Sequence, residues 1–396
     1  MATVEFSEAR RIILEAVRSA KLEEAEEVPL EEAAGRVLAE DITADRDYPT
    51  RPRAIRDGYA VRSADLPGSF EIIGEVRAGE DFRGAIGPRQ AVEIMTGAPV
   101  PEGADQVVML EYTSREGSRM TTEKSPAPGE FVNPRGAEAR QGEQVLERGR
   151  RLDYSGIALL AMVGRTSVRV WRRPTVAIIP TGDEIVEVGS CPLEYQIRNS
   201  NAYSLAVQVW RAGGIPQLLP VAPDEYHATR SLLERALTAD LVLLSGGVSA
   251  GKYDIVEQVL ADLGAKFFFD GTLIQPGRPT VFGKLGGKFF FGLPGNPAST
   301  MVTFEVFARA ALELLSGQSE VALPFFPARL TQDFRHKPGL TRFLPARLSP
   351  DGSELTPIPW QGSSDIPAVA RANAFLVAAA DRESWKAGET MPVMLK

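Results

Sequence analysis

Residues 241–254 read LVLLSGGVSAGKYD: an apolar run, then a turn that contains three glycines and two serines, and then an acid. The apolar run predicts a buried strand. Gly246 and Gly247 can adopt positive φ, so consecutive backbone amides can point into one concavity and bind an anion. Ser245 and Ser249 add hydroxyl donors. The stretch therefore predicts a strand that leads into an anion-binding turn, although a plain strand-to-helix connection is the alternative interpretation.

Strands and helices alternate from residue 174 to about residue 315. The strand candidates are TVAIIP, PQLLPV and DLVLLS, and the helix candidates are NAYSLAVQVWRAGG, DEYHATRSLLERAL and DIVEQVLADLG. This spacing predicts right-handed crossovers and an α/β domain with a parallel, doubly wound sheet. A hairpin around Gly286 and Gly287 follows, and then a long apolar helix from Pro297 to about Leu315.

The rest of the chain is organised differently. Residues 46–139 contain many glycines and prolines and several short β-type runs, which indicates an inserted β-rich domain. A helix and a strand return in residues 140–172, so we expect this segment to join residues 1–45 in one discontinuous N-terminal domain. Residues 173–322 then form the α/β domain, and residues 323–396 a second β-rich unit.

Composition and charge exclude several classes of function. The net charge of -8 disfavours general nucleic-acid binding through a basic surface. The single cysteine, Cys191, rules out an internal disulfide and a thiolate zinc site. His227 and His336 are the only histidines, so a metal here should be a hard cation with oxygen ligands. The sequence shows neither a signal peptide nor an apolar run long enough for a membrane span, which predicts a cytoplasmic protein without a membrane partner.

Three loops stand out because ligands of parallel sheets bind outside the carboxyl ends of the strands. The first loop is PTGDE at residues 180–184, the second is the glycine turn quoted above, and the third is GLPGNPAS at residues 292–299. In the third loop Asn296 is placed to cap a helix and Pro297 suits its first turn. The N-terminus of that helix would offer backbone amides and positive potential to an anion.

Acidic residues accompany these loops. Asp183 and Glu184 belong to the first loop and Asp254 follows the second, while Asp224 lies at a helix start that we expect it to cap. Acids repel a phosphate, but a magnesium ion between carboxylates and phosphate oxygens would resolve that conflict. We therefore predict a site for a phosphate ester and a hard metal, and the alternative is that these acids only cap helices.

Two compact motifs of the β-rich domain, RDGYAV and IMTGAPVPEGAD, have no role that elementary physics assigns. Together with PTGDE, IRNSNAY, PDE, SGGVSAGKYD, PGRP and GLPGNPAS, however, they stand in the order and at the spacing of one family. By these motifs, and by GLTRFLPARL and GSSDIPAVARANAF, the chain resembles the molybdopterin molybdenumtransferase family, which includes the bacterial MoeA proteins and the E domain of gephyrin. The resemblance extends from about residue 5 to residue 394.

The resemblance implies an elongated subunit of four domains, with a MogA-like, three-layer α/β domain and a C-terminal β-barrel-like domain. The discontinuous N-terminal domain would hold a homodimer together, and the active cleft would be shared between the β-rich domain of one subunit and the α/β domain of the other. The implied reaction takes adenylylated molybdopterin and molybdate, cleaves the phosphate anhydride with Mg²⁺ and releases AMP. Other proteins of molybdenum cofactor biosynthesis are the implied partners.

The resemblance also implies which residues act. The implied catalytic residues are Asp57, Thr96, Glu184, Asp224 and Asp254. Of these, Glu184 and Asp254 would be the metal ligands, and Thr96 would lie near molybdate or the phosphate. The implied substrate-binding residues are Ser245, Gly246, Gly247, Ser249, Gly251, Arg278, Pro294, Gly295, Asn296 and Ser299.

Several positions depart from the pattern of the family. They are Arg56 before the acid of RDGYAV, Ala137 within the usual GED, Gln275 and Arg278 in place of the lysines of KPGKP, and Gly271 where some members carry lysine. A missing lysine weakens the attraction for an anion unless Arg278, Lys252 or Arg56 compensates. Arginine is the better bidentate ligand of oxyanions, so an arginine can take over the role of the missing lysine.

Three alternative functions stay open at this point. They are insertion of tungsten by a paralogue, a molybdopterin adenylyltransferase-type activity, and a non-catalytic scaffold. The adenylyltransferase consists of one domain with the same sheet motifs, so the presence of residues 1–172 argues against it. A pure scaffold need not keep Glu184, Asp224 and Asp254.

Overall fold

The computed structural model describes residues 3–20, 22, 24–247 and 255–396. The chain divides into two compact units. The larger unit contains Met1–Ala39, Arg148–Asp153 and Val168–Lys396, and the smaller unit contains Glu40–Glu147 and Tyr154–Ser167. The smaller unit is therefore inserted into the larger one, and the finer division into four domains stays a prediction.

A six-stranded sheet lies at the centre of the larger unit. Its strands follow the spatial order Ile215–Leu218, Thr175–Pro180, Leu241–Ser245, Lys288–Leu293, Val281–Leu285 and Lys266–Phe269. The first four strands are parallel, and the last two are antiparallel to their neighbours. The predicted parallel sheet and the predicted hairpin around Gly286 and Gly287 are both confirmed.

Helices cover both faces of this sheet. On Thr175–Pro180, alternate residues contribute to two separate cores, since side chains alternate between the faces of a strand. Val176 and Ile178 pack in the core that contains residues of Phe6–Arg18, Asn201–Arg211 and the long helix after residue 296. Ala177 and Ile179 pack in the opposite core with residues of Tyr226–Ala236 and Ile255–Asp262. The doubly wound, three-layer architecture is thus confirmed.

The long apolar helix has a feature that its sequence does not reveal. It consists of α-helical Pro297–Thr303, a π-helical turn at Phe304–Ala308 and α-helical Arg309–Leu315. Within the π-helical turn, the carbonyl oxygen of Val306 accepts a 2.6 Å hydrogen bond from Nη1 of Arg10. A side chain from a distant helix therefore satisfies a backbone group where the helical pattern changes.

The C-terminal part of the larger unit is a small barrel. Strands Thr341–Leu348, Glu354–Pro357, Phe326–Leu330, Thr390–Leu395 and Ala374–Ala378 pair in that order, and the last pairs back with the first. The closed ring leaves no free edge among these five strands. The other short elements of the larger unit are Thr3–Val4, Ala25–Pro29, Leu30–Ala33, Ser167–Trp171, Ile185–Val186, Ile197–Arg198, Gly271–Thr272, Ile274–Gln275, Phe334–Arg335, Ile366–Arg371 and Ser384–Trp385.

The smaller unit is β-rich, as the sequence predicts. Its main sheet has the strand order Gln106–Met109, Gly58–Val61, Gln90–Ile94, Gly68–Val76, Arg119–Thr122 and Ser114–Glu116. Its other elements are Ile42–Thr43, Arg53–Ala54, Ser63–Asp65, Leu110–Tyr112, Val132–Asn133, Gln144–Leu146 and the helix Tyr154–Met162. None of the helices in the described residues of the chain has the length and apolar character that crossing a membrane would require.

A buried carboxylate holds two strands of the central sheet together at their amino ends. Asp240 accepts hydrogen bonds of 2.7 and 3.0 Å from Arg172 and of 2.8 and 2.9 Å from the backbone and hydroxyl of Thr175. Burial alone would raise the pKa of Asp240, but the hydrogen bonds from Arg172 and Thr175 outweigh it and lower that pKa to about 2. The ionised carboxylate therefore belongs to the stable fold at neutral pH.

The substitution Asp240→Ala should lower the free energy of unfolding by about 2–4 kcal/mol, because it leaves the Arg172 guanidinium without its buried partner. Since the pKa of Asp240 is lowered by folding, its contribution should be complete above about pH 4 and disappear as the pH falls towards 2. Urea denaturation at several pH values would measure both effects.

The matched control is Asp333→Ala, which removes an aspartate whose ion pair with Lys386 is exposed. This control should cost far less stability than Asp240→Ala, since water screens an exposed pair. Equal losses in the two variants would contradict a structural role for the Asp240 hydrogen bonds.

Candidate functional site

The three glycine-bearing loops meet at one cavity. They follow the strands Thr175–Pro180, Leu241–Ser245 and Lys288–Leu293, whose carboxyl ends share one edge of the sheet. The cavity has a volume of about 530 Å³. Its lining includes Thr181, Gly182, Glu184, Asp224, Gly246, Gly247, Pro294, Gly295 and Asn296. The sequence prediction that these loops converge is therefore confirmed.

The glycine turn allows a close approach between loops. Gly246 has a φ of 97°, and a Cβ atom there would lie 2.7 Å from the carbonyl oxygen of Thr181. The backbone amide of Gly246 donates a 3.0 Å hydrogen bond to the carbonyl of Leu293. That amide is engaged within the protein, so Gly246 does not serve as the anion donor that the sequence suggests. Its contribution is the tight contact between the first and second loops.

A buried amide joins the second and third loops. Nδ2 of Asn201 donates hydrogen bonds of 2.9 Å to the hydroxyl of Ser245 and of 2.7 Å to the carbonyl of Gly295. A carbonyl can only accept, so this contact fixes the orientation of the Asn201 amide. Ser245 is buried, its hydroxyl accepts from Asn201, and it is not part of the cavity lining. The motif IRNSNAY contains Asn201, but the sequence alone gave no reason to select it.

Two carboxylates line the cavity. The chain folds the carboxylate of Glu184 back over Gly182, where a Cβ atom would lie only 2.5 Å from Oε2 of Glu184. Asp224 lies beside them, and its backbone amide donates a 3.0 Å hydrogen bond to Oδ1 of Asp183. Partial burial, followed by the negative charges of Asp183 and Glu184, raises the pKa of Asp224. This part of the cavity therefore has an excess of negative charge.

The predicted capping role of Asp224 is wrong. The helix Tyr226–Ala236 is capped by Glu225, whose carboxylate accepts hydrogen bonds of 2.9 and 2.7 Å from the amides of His227 and Ala228. Asp224 stands one residue before the capping position, so its own carboxylate is available to the cavity. The adjacent acids Asp224 and Glu225 compete for the same role in the sequence, and only the local backbone decides between them.

The described residues suit a hard cation only in part. Within the described ranges, no three His, Cys, Asp or Glu side chains are arranged to hold a metal ion. Glu184 and Asp224 provide two carboxylates at the cavity. Mg²⁺ is usually held by one or two carboxylates together with substrate phosphates and water, so this donor set fits magnesium that shares its coordination with a substrate. The predicted ligand Asp254 lies outside the described residues.

The third loop is held by the C-terminal part of the chain. Asn296 occupies the capping position of the helix Pro297–Thr303, but its side chain makes no capping hydrogen bond. Its Nδ2 instead donates a 2.9 Å hydrogen bond to the hydroxyl of Ser363, whose carbonyl accepts from the amide of Ala298. The predicted side-chain cap by Asn296 is therefore wrong, because a distant serine binds the amide. Ser299 is buried in the helix and is not part of the cavity lining.

Arg278 does not reach the cavity lining, although its neighbour Pro279 does. The side chain of Arg278 is exposed, and its carbonyl accepts hydrogen bonds from the amides of Thr272 and Thr280. The nearby departure at Gly271 has a structural reason. A Cβ atom at Gly271 would lie 2.8 Å from the hydroxyl of Thr3, which belongs to the strand paired with Gly271–Thr272. A lysine there would require the Thr3 side chain to move.

The remaining predicted residues lie elsewhere. Asp57 and Thr96 belong to the smaller unit, where Oδ1 of Asp57 accepts hydrogen bonds of 2.6 and 2.7 Å from the amide and hydroxyl of Thr96. These two bonds lower the pKa of Asp57, so the pair is preorganised with an ionised carboxylate. Ser249, Gly251 and Asp254, like Lys252, lie outside the described residues.

Sequence reasoning missed part of the cavity wall. Besides Asn201, the unpredicted lining residues are Ile185, Ile197, Arg198, Asn199, Ser200, Ile255 and Val256. The signal that could have found several of them is the position of IRNSNAY immediately before a helix that packs on the sheet.

Comparisons with known proteins agree along the chain. Residues 4–164 match the MoeA N-terminal region (domain I and II), residues 177–314 a probable molybdopterin binding domain, and residues 327–396 the MoeA C-terminal region (domain IV). A molybdopterin molybdenumtransferase of Bacillus subtilis is 36% identical over 387 residues, which cover 94% of this chain and 90% of the relative. A molybdopterin molybdenumtransferase of Staphylococcus epidermidis is 34% identical over 378 residues, which cover 93% of this chain and 90% of the relative.

Solved structures give the same result. A molybdopterin biosynthesis MoeA protein from Pyrococcus horikoshii OT3 matches with a TM-score of 0.82 and 31% identity over 100% of both chains. A second MoeA crystal structure, also attributed to Pyrococcus, matches with a TM-score of 0.73 and 34% identity over 100% of this chain and 99% of the other. Sequence motifs, fold and full-length relatives thus agree, and this chain belongs to the MoeA family of molybdopterin molybdenumtransferases.

Proposed function

We propose that this chain uses molybdate and adenylylated molybdopterin to place molybdenum on the dithiolene of the pterin and to release AMP, the last general step of molybdenum cofactor biosynthesis. Water would cleave the phosphate anhydride, so that one phosphate leaves with adenosine and the other stays on the pterin. The observation that carries the proposal is the convergence of the three loops, with Glu184 and Asp224, on one cavity. Full-length relatives named molybdopterin molybdenumtransferases support it.

The residues of the cavity would divide the work between binding and charge control. Glu184 would hold Mg²⁺ together with Asp254. Asp224 lies close enough to Glu184 for the negative charge of Glu184 to help raise the pKa of Asp224. When bound, the cation would supply charge neutralisation for the anhydride oxygens. Pro294, Gly295 and the turn at Gly247 would border the phosphate region, and Asn201 would keep their loops at a fixed separation.

We also propose that the protein is a homodimer. Tyr203, Val207 and Trp210 are exposed at helical spacing on Asn201–Arg211 and form one apolar stripe. The adjacent edge strand Ile215–Leu218 exposes apolar side chains as well. A stripe of this kind is typical of a surface that another protein covers. A cleft shared between the two subunits of that dimer would bring Asp57 and Thr96 to the substrate. We also propose that the protein is cytoplasmic and that it contacts other proteins of molybdenum cofactor biosynthesis.

The central test is release of AMP from adenylylated molybdopterin by the purified chain, followed by chromatography. Release should require both Mg²⁺ and molybdate, and an arm with tungstate in place of molybdate tests the paralogue alternative. Glu184→Gln should lower the rate roughly 100-fold, because one ligand of the cation is lost. Glu234→Gln, an exposed acid paired with Arg230, is the matched control and should leave the rate unchanged. Release that is indifferent to molybdate would refute the proposed function.

The substitution Asp224→Asn should reduce turnover and yet stabilise the fold by up to about 0.5 kcal/mol at neutral pH, since solvent screens these charges. Partial burial and the charges of Asp183 and Glu184 raise the pKa of Asp224 in the folded protein, so its ionised form is disfavoured there. The ionised Asp224 carboxylate therefore destabilises the folded wild type at high pH. This destabilisation disappears as the pH falls through the raised pKa of Asp224. Melting temperatures of both proteins from pH 8 down to about pH 4, the ordinary pKa of an aspartate, would measure the shrinking difference, and a variant that is less stable at pH 8 would contradict it.

The substitution Trp210→Glu should convert the proposed dimer into a monomer, because it places a charge in the apolar stripe. Light scattering coupled to gel filtration would measure the mass. Trp210 is 65% exposed, and the control Tyr195→Glu changes an aromatic residue outside the stripe that is 72% exposed. A monomeric wild type, or equal masses for Trp210→Glu and wild type, would argue against this interface.

A further inference from the structure

The cavity contains one cationic side chain that the sequence analysis did not select. Among its lining residues in the described part of the chain, Glu184 and Asp224 are negative and Arg198 is positive. A substrate that carries phosphates, and an oxyanion such as molybdate, would be repelled by the two acids at long range. Arg198 is therefore the described lining residue that can attract such a ligand by charge.

The backbone fixes Arg198 at the wall of the cavity. The short strand Ile197–Arg198 pairs in parallel with Ile185–Val186, which follows Glu184 directly. The amide of Ile197 donates to the carbonyl of Glu184 at 2.9 Å, and the amide of Asn199 donates to the carbonyl of Val186 at 2.9 Å. Arg198 and Glu184 thus lie on segments that are joined by backbone hydrogen bonds. The same small sheet therefore positions the guanidinium of Arg198 and the carboxylate of Glu184.

The guanidinium of Arg198 is partly anchored and partly available. Its Nε donates a 3.1 Å hydrogen bond to the carbonyl of Ser190. In the described residues, neither Nη atom has a hydrogen bond or an ion pair, although Glu184 lies on the adjoining segment. The side chain is exposed, so a ligand in the cavity can reach it. An anchored guanidinium with two open amino groups is suited to bidentate binding of an oxyanion.

The candidates for charge compensation that the sequence suggested do not occupy this position. Arg278 is exposed outside the cavity lining, Arg56 belongs to the smaller unit, and Lys252 lies outside the described residues. Gln275 is exposed and carries no charge. Arg198 is consequently the side chain that can supply, at the cavity itself, the positive charge lost where glutamine replaces a lysine.

We propose that Arg198 binds an oxyanion of the substrates through its Nη atoms and thereby sets the affinity of the cavity for them. The inference rests on the proposed function, which defines two sources of oxyanion: the phosphate of the adenylylated pterin and molybdate. Both present tetrahedrally arranged oxygens that accept hydrogen bonds from a guanidinium. Direct contact distinguishes this role from a structural one, since the fold would need Arg198 only for its bond to Ser190.

The test uses calorimetric titration of the full chain with two probes, AMP in the presence of Mg²⁺ and molybdate alone. Arg198→Gln should raise the Kd for the probe that Arg198 contacts about 10- to 100-fold, the range expected for lost hydrogen bonds to a charged group. Arg198→Lys should recover only part of this loss, because lysine keeps the charge and not the bidentate geometry. The dependence of Kd on salt should also become shallower in Arg198→Gln, which a purely structural defect would not produce.

The matched control is Arg235→Gln, which removes the same charge from the last turn of Tyr226–Ala236. It should leave both Kd values unchanged, and equal melting temperatures would show that both variants are folded. A change with AMP assigns Arg198 to the phosphate, and a change with molybdate assigns it to the metal oxyanion. If wild type releases AMP in the turnover assay while Arg198→Gln and Arg235→Gln bind both probes alike, this inference is overturned and the proposed function stands. Absence of molybdate-dependent release in wild type would refute the proposed function instead.

Discussion

The amide of Asn201 is the contact on which the geometry of the cavity depends. One NH₂ group donates to Ser245 at the end of one strand and to Gly295 after the neighbouring strand. The same two loops are also linked by the backbone hydrogen bond from Gly246 to the carbonyl of Leu293, closer to the ends of their strands. Because Asn201 and Ser245 are buried, breaking the bond between them would leave polar groups without water to replace it. The separation of the loops is therefore specified by the Asn201 side chain together with the backbone bond of Gly246.

Much of this arrangement could be predicted from the sequence, for a definite reason. Parallel strands that are buried on both faces appear as continuous apolar runs, and their carboxyl ends share one edge. The convergence of the three loops follows from that rule. What failed were the local assignments: Glu225 rather than Asp224 caps its helix, and Ser363 rather than the helix binds Asn296. Such choices depend on backbone angles and on partners far away in the chain, which short motifs do not encode. The π-helical turn supported by Arg10 failed to be predicted for the same reason.

The acids illustrate how a functional cavity departs from what stability alone would favour. Asp240, at the amino ends of the strands, is surrounded by donors, and its pKa is lowered to about 2. Asp224, at the carboxyl ends, is partly buried near two other acids, and its pKa is raised. Both are aspartates beside the same sheet, and their surroundings shift their pKa values in opposite directions. The unfavourable position of Asp224 has no structural benefit among the described contacts, which is the pattern expected where charge is kept for a ligand.

The engaged amide of Gly246 changes the physical explanation of anion binding at this edge. The sequence suggested that backbone amides of a glycine turn would neutralise a phosphate, yet the first of these amides is bonded to Leu293. Gly246 is needed there because the loops approach closely. The negative charge of a ligand must then be neutralised by groups that carry a full positive charge. A guanidinium such as Arg198 and a cation held by acids are suited to that task. An acidic chain can bind an anionic substrate in this way. At contact distance, the attraction from a few positive charges in the cavity outweighs the repulsion from negative charges spread over the surface, which salt screens.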